Sequence, residues 1–314
     1  MNRPLKFFLR TVVILFVLAN FMVALHAYKL THVYDASTMK LKHETEKTSW
    51  DKTKDILFGL NATKLVNKYT PDSTVTKVLL TTKDSLKLEG WYFKTDSTPK
   101  GTVILFHGHH SNKTGVLPES GNLLKLGYNT LLIDFRAHGG SEGNTTSIGY
   151  YEAEDVKLAY DYIQSLGEKN TVLWGVSMGA AAITKAVNDH ALRPSKIILE
   201  MPFGSLLDAV EGKLSMMHLP QEPLATMLTF WGGIEHGFWA FNMKPSAYAK
   251  KITAPVLLQW GKNDPRVTKK EIDEIYANIA TDKKLVVYEE CGHESLCAKE
   301  NNKWITEIRQ FLQQ

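Results

Sequence analysis

"TVLWGVSMGAAA", residues 171–182, is the stretch on which the reading of this chain turns. β-Branched and aromatic residues crowd positions 171–176, the pattern breaks at Gly175-Val176-Ser177-Met178-Gly179, and three alanines follow. A G-x-S-x-G pattern alone recurs by chance in roughly one chain in ten of this length. Context gives it weight, because the motif carries chemistry when a buried strand runs into it and a helix runs out. The residues predict a strand over 171–176 and a helix over 178–187. Gly175 and Gly179 lack Cβ, so a sharp turn can form and the helix can approach the strand closely. Ser177 is therefore the candidate nucleophile.

A serine hydroxyl attacks only when a base takes its proton and a carboxylate orients that base. On a sheet of this kind the partners follow in the order Ser, Asp or Glu, His. Four histidines come after Ser177: His190, His218, His236 and His293. His293, in "YEECGHESL", directly follows the last expected strand, with Gly292 to admit a turn, and is the candidate base. Asp264, in "LLQWGKNDPRV", stands just past another strand and is the candidate acid. Glu200 also ends a strand and is its competitor. An oxyanion needs two preorganised N–H donors. The main chain of Met178, at the dipole-positive start of the helix, supplies one. The main chain of His109, after "VILFHGHH", supplies the other. His107, His109 and His110 resemble the beginning of a metal site, but Ser111, Asn112 and Lys113 follow and bring no carboxylate. The expectation is no metal and no cofactor, with His107 holding the oxyanion loop.

Strands and helices alternate around this centre. "VTKVLLTT" and "LKLEGWYF" predict a hairpin about Lys83-Asp84-Ser85. "GTVILFHG", "YNTLLIDFR", "KIILEMP", "APVLLQW" and "KLVVYEE" read as further strands, with helical stretches between them. Such alternation implies an α/β fold, a mostly parallel central sheet flanked by helices. Residues 203–252 interrupt it with an apolar insertion, "MLTFWGGIEHGFWAFNM" included. A helical cap over the strand ends is expected there, where ligands bind in such sheets.

With 314 residues, 44% of them hydrophobic, the chain can bury one large core. The net charge of +4 is modest and no basic stripe with interleaved aromatics occurs, which excludes nucleic acid as the expected partner. At the N-terminus, Arg3, Lys6 and Arg10 precede "TVVILFVLANFMVALHA", an uncharged run over 11–27. As a helix it spans about 25 Å, close to a bilayer core. Residues 1–28 are read as an uncleaved anchor in preference to a cleaved signal, since Leu25-His26-Ala27 makes a poor cleavage site. Basic residues before the span place the rest of the chain outside the cytoplasm. Residues 29–72 read as a polar helical stalk or cap, and 73–314 as the catalytic domain.

The motifs "ILFHGHHSNK", "LLIDFRAHGGSEG", "GVSMGA", "GKNDPRV" and "CGHES" resemble, in order, those of the α/β-hydrolase superfamily. Together with "TTSIGYYEAEDV" and "EMPFGSLLDAV" they are most similar to its bacterial serine aminopeptidase-like or prolyl-oligopeptidase-like branch, over roughly residues 75–312. The resemblance implies Ser177 as nucleophile, Asp264 as acid, His293 as base, and Met178 with His109 as oxyanion donors. Ala137 departs from the family, which commonly has glycine there. Cys291 and Cys297 flank the histidine loop, either bridged and pinning it or as two free thiols. The expected function is a membrane-anchored serine hydrolase acting on an ester, thioester or amide of an apolar or acyl substrate. A peptidase of the same fold and an inert tethered binding domain are the alternatives.

Overall fold

Runs of apolar residues without polar alternation form strands covered on both faces. Residues 103–106, 131–133, 197–199 and 256–258 have no solvent exposure at all. The structure is a computed structural model that describes residues 3–35, 38–39, 42, 44–67, 69 and 75–314.

From the N-terminus, α1 (Arg3–Thr31) leads to β1 (Val33–Tyr34), α2 (Ser49–Phe58) and β2 (Ala62–Thr63), with β1 and β2 paired in parallel. The large sheet then begins with the hairpin of β3 (Thr76–Thr81) and β4 (Lys87–Phe93). It continues with β5 (Thr102–Phe106), β6 (Asn129–Ile133), β7 (Thr171–Val176), β8 (Lys196–Glu200), β9 (Val256–Gly261) and β10 (Lys283–Tyr288). Its order is β3-β4-β6-β5-β7-β8-β9-β10. The first two pairings are antiparallel and the rest are parallel. The helices that alternate with the strands are α3 (Leu117–Lys125), α4 (Glu152–Ser165) and α5 (Met178–His190). Between β8 and β9 lie α6 (Leu206–Met216), α7 (Leu224–His236) and the short α8 (Pro245–Tyr248). The chain closes with α9 (Lys269–Asn278), α10 (Leu296–Lys299) and α11 (Asn301–Gln313). This is the mostly parallel sheet flanked by helices that the alternation implied.

Helix α1 is long and apolar enough to cross a membrane. Its large apolar side chains up to Phe21 are exposed, but Val23 and Ala27 are buried against Leu214, Ala225 and Leu228 of α6 and α7. Trp231 Nε1 donates to Asn20 Oδ1 at 3.3 Å, and Lys29 bonds Asn61. The last turns of the uncharged run thus meet protein rather than solvent.

The turn between β7 and α5 is held by crowding. Ser177 has φ +53° and ψ −115°, a conformation that L-residues rarely adopt. A Cβ on Gly179 would lie 2.3 Å from Phe106 O, and one on Gly175 2.6 Å from Gly179 C. Only glycine at both places lets α5 start against β5 and β7. Ala137 lies at φ +62°, which explains why the family favours glycine at that position. Replacing Gly179 by Ala is expected to cost about 1–3 kcal/mol through overpacking. Thermal melting of G179A checks this, and an unchanged midpoint would sink the close-approach account.

Candidate active site

The parallel strands all end on one side of the sheet, and three of those ends carry the candidate residues. Ser177 follows β7, and its N–H donates to Glu200 O at 2.8 Å. Asp264 follows β9, where its own N–H closes a turn onto Gly261 O at 3.1 Å. His293 follows β10. Two close contacts fix the Asp and His loops together: Asn263 N–H donates to Cys291 O at 2.9 Å, and a Cβ on Gly261 would lie 2.5 Å from Gly292 O.

The three side chains form one chain of hydrogen bonds. His293 Nε2 lies 3.0 Å from Ser177 Oγ, and His293 Nδ1 lies 2.7 Å from Asp264 Oδ2. The other oxygen of Asp264 accepts from the N–H groups of Arg266 and Val267 at 2.8 and 3.0 Å. The Asp264 side chain is wholly buried and that of His293 only 10% exposed. A carboxylate so held can fix the imidazole tautomer that leaves Nε2 free to accept a proton.

Opposite the serine stands the loop after β5. A Cβ on Gly108 would lie 3.5 Å from Ser177 Cβ, which sets the loop that carries His109 beside the serine. Met178 is the first residue of α5, and the first N–H groups of a helix have no partner within it. His107 is buried, with Nδ1 2.8 Å from Gly108 O and Nε2 accepting from Phe135 N–H at 3.2 Å. Burial, with His138 beside it, pushes its pKa down to about 3, so it is a neutral strut between β5 and β6. The His109 imidazole is likewise held neutral, chiefly by burial and then by the nearby His110, His138, Lys213 and Arg266.

The remaining candidates go elsewhere. His190 Nε2 pairs with Glu154 at 3.0 Å, and His236 stacks on His32. Glu200, the competitor for the acid position, turns away from His293. Its Oε1 accepts from Trp174 Nε1 at 3.0 Å, Gln259 Nε2 at 2.9 Å and Trp304 Nε1 at 2.6 Å. Cys291 and Cys297 are free and buried, the first near Glu300 and the second near Asn122. Burial above all pushes both thiols up to about 12, which makes them inert.

Sequence reasoning missed two supports. Glu119 of α3 accepts from the hydroxyl of Ser295, two residues beyond His293, at 2.5 Å. Lys213 on α6 joins Arg266 near the oxyanion loop. Neither carries a motif of its own, although Arg266 sits inside the "GKNDPRV" stretch.

By fold and sequence the chain belongs to the α/β-hydrolase superfamily, and its family match and its similarity to esterases and lipases support a hydrolase. Residues 97–230 match the family described as serine aminopeptidase, S33. The chain is 27% identical over 229 residues to the uncharacterised protein YqkD of Bacillus subtilis, covering 72% of this chain and 75% of that one. It is 30% identical over 122 residues to lysophosphatidylserine lipase ABHD12 of Danio rerio, covering 37% of this chain and 31% of that one. Among solved structures, the esterase Pf2001 of Pyrococcus furiosus superposes with a TM-score of 0.67 at 26% identity, over 80% of this chain and 96% of that one.

Burial, with the Glu119 carboxyl nearby, pushes Glu200 from the ordinary 4.5 up to about 8. Between those two pH values the folded protein holds a proton that the unfolded chain has released. Stability therefore falls as pH rises through that window. Glu200→Gln keeps an acceptor for the two tryptophans and removes the titration. Its melting temperature, relative to wild type, is expected to gain about 5 °C between pH 5 and pH 8. A constant difference across that range would contradict a buried neutral Glu200.

Proposed function

We propose that the chain is a serine hydrolase that cleaves a carboxylic ester of an apolar, acyl-bearing substrate. The observation that carries the reading is the continuous Ser177–His293–Asp264 hydrogen-bond chain, with both contacts at 3.0 Å or less. Ser177 Oγ forms a bond to the substrate carbonyl carbon while its proton passes to His293 Nε2. The carbonyl electrons move to oxygen, which the main-chain N–H groups of Met178 and His109 receive. When the tetrahedral species collapses, the bond to the leaving alcohol breaks and His293 returns the proton to it. Water then repeats the sequence against the acyl-enzyme, releases the acid and restores Ser177. Asp264 stabilises the imidazolium formed in each half.

An ester is favoured over a peptide by charge. An aminopeptidase must hold a substrate ammonium, and the cations that act on His109 are Lys213 and Arg266. Glu200, the acid nearest in the chain to such a role, is neutral and engaged with two tryptophans. Relatives described as lysophosphatidylserine lipases support an acyl substrate.

We propose further that α1 is an uncleaved anchor holding the catalytic domain outside the cytoplasm. Cleavage after Ala27 would strip Val23 and Ala27 from Leu214, Ala225 and Leu228 and leave that apolar face bare.

A fluorophosphonate probe tests the nucleophile. Wild type is expected to label and Ser177→Ala to remain unlabelled. Folded wild type that resists the probe would refute the assignment. Asp264→Asn is expected to lower kcat on a short-chain nitrophenyl ester by roughly 10³–10⁴-fold, with the ring held in the wrong tautomer. Steady-state kinetics at neutral pH check this, and a loss below tenfold would remove Asp264 from the relay.

A further inference from the structure

Two cations meet beside the loop that carries His109. Lys213 lies on α6, and Arg266 follows β9, two residues after Asp264. Gly212 brings them together. A Cβ there would lie 2.2 Å from Arg266 O, so only glycine lets α6 press its backbone onto Arg266. Lys213 is the next residue along that helix, and it is half-buried. Burial and then Arg266 hold its pKa below the usual lysine range, and no carboxylate offsets them. Both cations also act on the imidazoles of His109 and His110.

Like charges held side by side repel, and partial burial removes the water that would screen them. A carboxylate placed between them would relieve the repulsion, but the nearby acids are engaged elsewhere. Asp264 bonds His293 with one oxygen and the main-chain N–H groups of Arg266 and Val267 with the other. On α6, Asp208 accepts from Ser205 Oγ at 2.6 Å, and Glu211 has Asp208, Glu222 and Lys270 as its charged neighbours. Among the described residues, neither Lys213 nor Arg266 has a carboxylate oxygen within 4.0 Å. Arg266 Nε meets only Met216 Sδ, at 2.8 Å, and a thioether is a weak acceptor. A third group in this cluster is also without a partner. His109 Nε2 is buried and makes no hydrogen bond among the described residues. The cluster thus adjoins both the loop proposed to receive the oxyanion and the loop that holds the acid.

We infer that Lys213 and Arg266 form an anion subsite, and that the ester cleaved at Ser177 carries a phosphate or carboxylate group near its scissile bond. The inference rests on the hydrolase reading above and adds the charge of the substrate to it. Arg266 presents a planar fork to two oxygens of such a group, and Lys213 supplies a point charge. The Nε2–H tautomer of His109 adds a third donor. A bound anion removes the repulsion between the two cations, so the site selects a charged ester over an uncharged one of the same size.

Matched pairs of esters test this on the full-length protein in detergent micelles, with fluorophosphonate labelling of Ser177 in parallel. Butyrylglycerol phosphate is compared with monobutyrin, and nitrophenyl hemisuccinate with nitrophenyl butyrate. The anion sits on the alcohol side in the first pair and on the acyl side in the second. Wild type is expected to favour the charged member of one pair by roughly tenfold or more in kcat/KM, and that pair identifies the side. Lys213→Gln and Arg266→Gln are each expected to remove most of the preference, chiefly through KM, and Lys213→Arg to keep it. Arg266→Gln leaves the main-chain N–H to Asp264 in place. Labelled wild type without a preference in either pair overturns the subsite. So does an equal loss on charged and neutral esters in both glutamine variants, the mark of a packing role. Loss of the preference in Lys213→Arg as complete as in Lys213→Gln overturns the role of charge. Folded wild type that fails to label overturns the underlying hydrolase reading, and this inference with it.

Discussion

Gly179 packs against the carbonyl of Phe106 with no room for a methyl group, and from that contact the site takes its shape. The start of α5 can reach β5 only if the chain turns at once after β7, and Ser177 absorbs the turn at φ +53°. A residue held there costs of order 1–3 kcal/mol, and the surrounding structure must over-determine it. Here the sheet does so: Ser177 N–H is bonded to Glu200 O on one side, and Gly108 presses from the other. The result is a hydroxyl raised above the strand ends, beside the first N–H groups of a helix. His293 and Asp264 meet it because β9 and β10 are adjacent parallel strands, so the loops that follow them emerge together.

The two strand-end acids have opposite fates. Asp264 receives two main-chain N–H groups and the imidazole, which together compensate a buried charge. Glu200 has indole and amide donors on one oxygen and, among the described residues, no donor on the other, so burial leaves it neutral. The same sheet edge therefore carries one acid hydrogen-bonded to an imidazole and a second, neutral one that knits β7, β8, β9 and α11 together. The difference lies in position and in donors: Glu200 is the last residue of β8, in register with Gln259, whereas Asp264 lies in the loop beyond the end of β9 at Gly261.

The N-terminal helix ends against the segment between β8 and β9. Its apolar run is continuous in sequence, yet the structure divides it: side chains up to Phe21 face outward, and those from Val23 on pack against α6 and α7. Nothing in hydropathy distinguishes a side chain bound for lipid from one bound for a protein groove, because both environments reward the same residues. The division depends on α7 lying alongside, more than two hundred residues further along the chain.

The order of the motifs was readable from the residues alone. Strand runs, the glycines flanking Ser177, and strand-end Asp264 and His293 are local patterns, and backbone sterics and hydrophobic burial act on them locally. The hairpin at 76–93, the parallel strands and the helix after Ser177 follow from such patterns, within a residue or two at most ends. Other features depend on distance in space, which no local pattern encodes. Glu119 steadying the histidine loop, the neutral state of Glu200, free thiols at Cys291 and Cys297, and Lys213 facing Arg266 all join residues far apart in sequence. The sequence by itself determined the sheet and the candidate residues at its strand ends, because both arise from neighbours along the chain. Only the tertiary structure decided which donors each buried acid receives and what the N-terminal helix touches, because desolvation and hydrogen bonding depend on everything packed around a group.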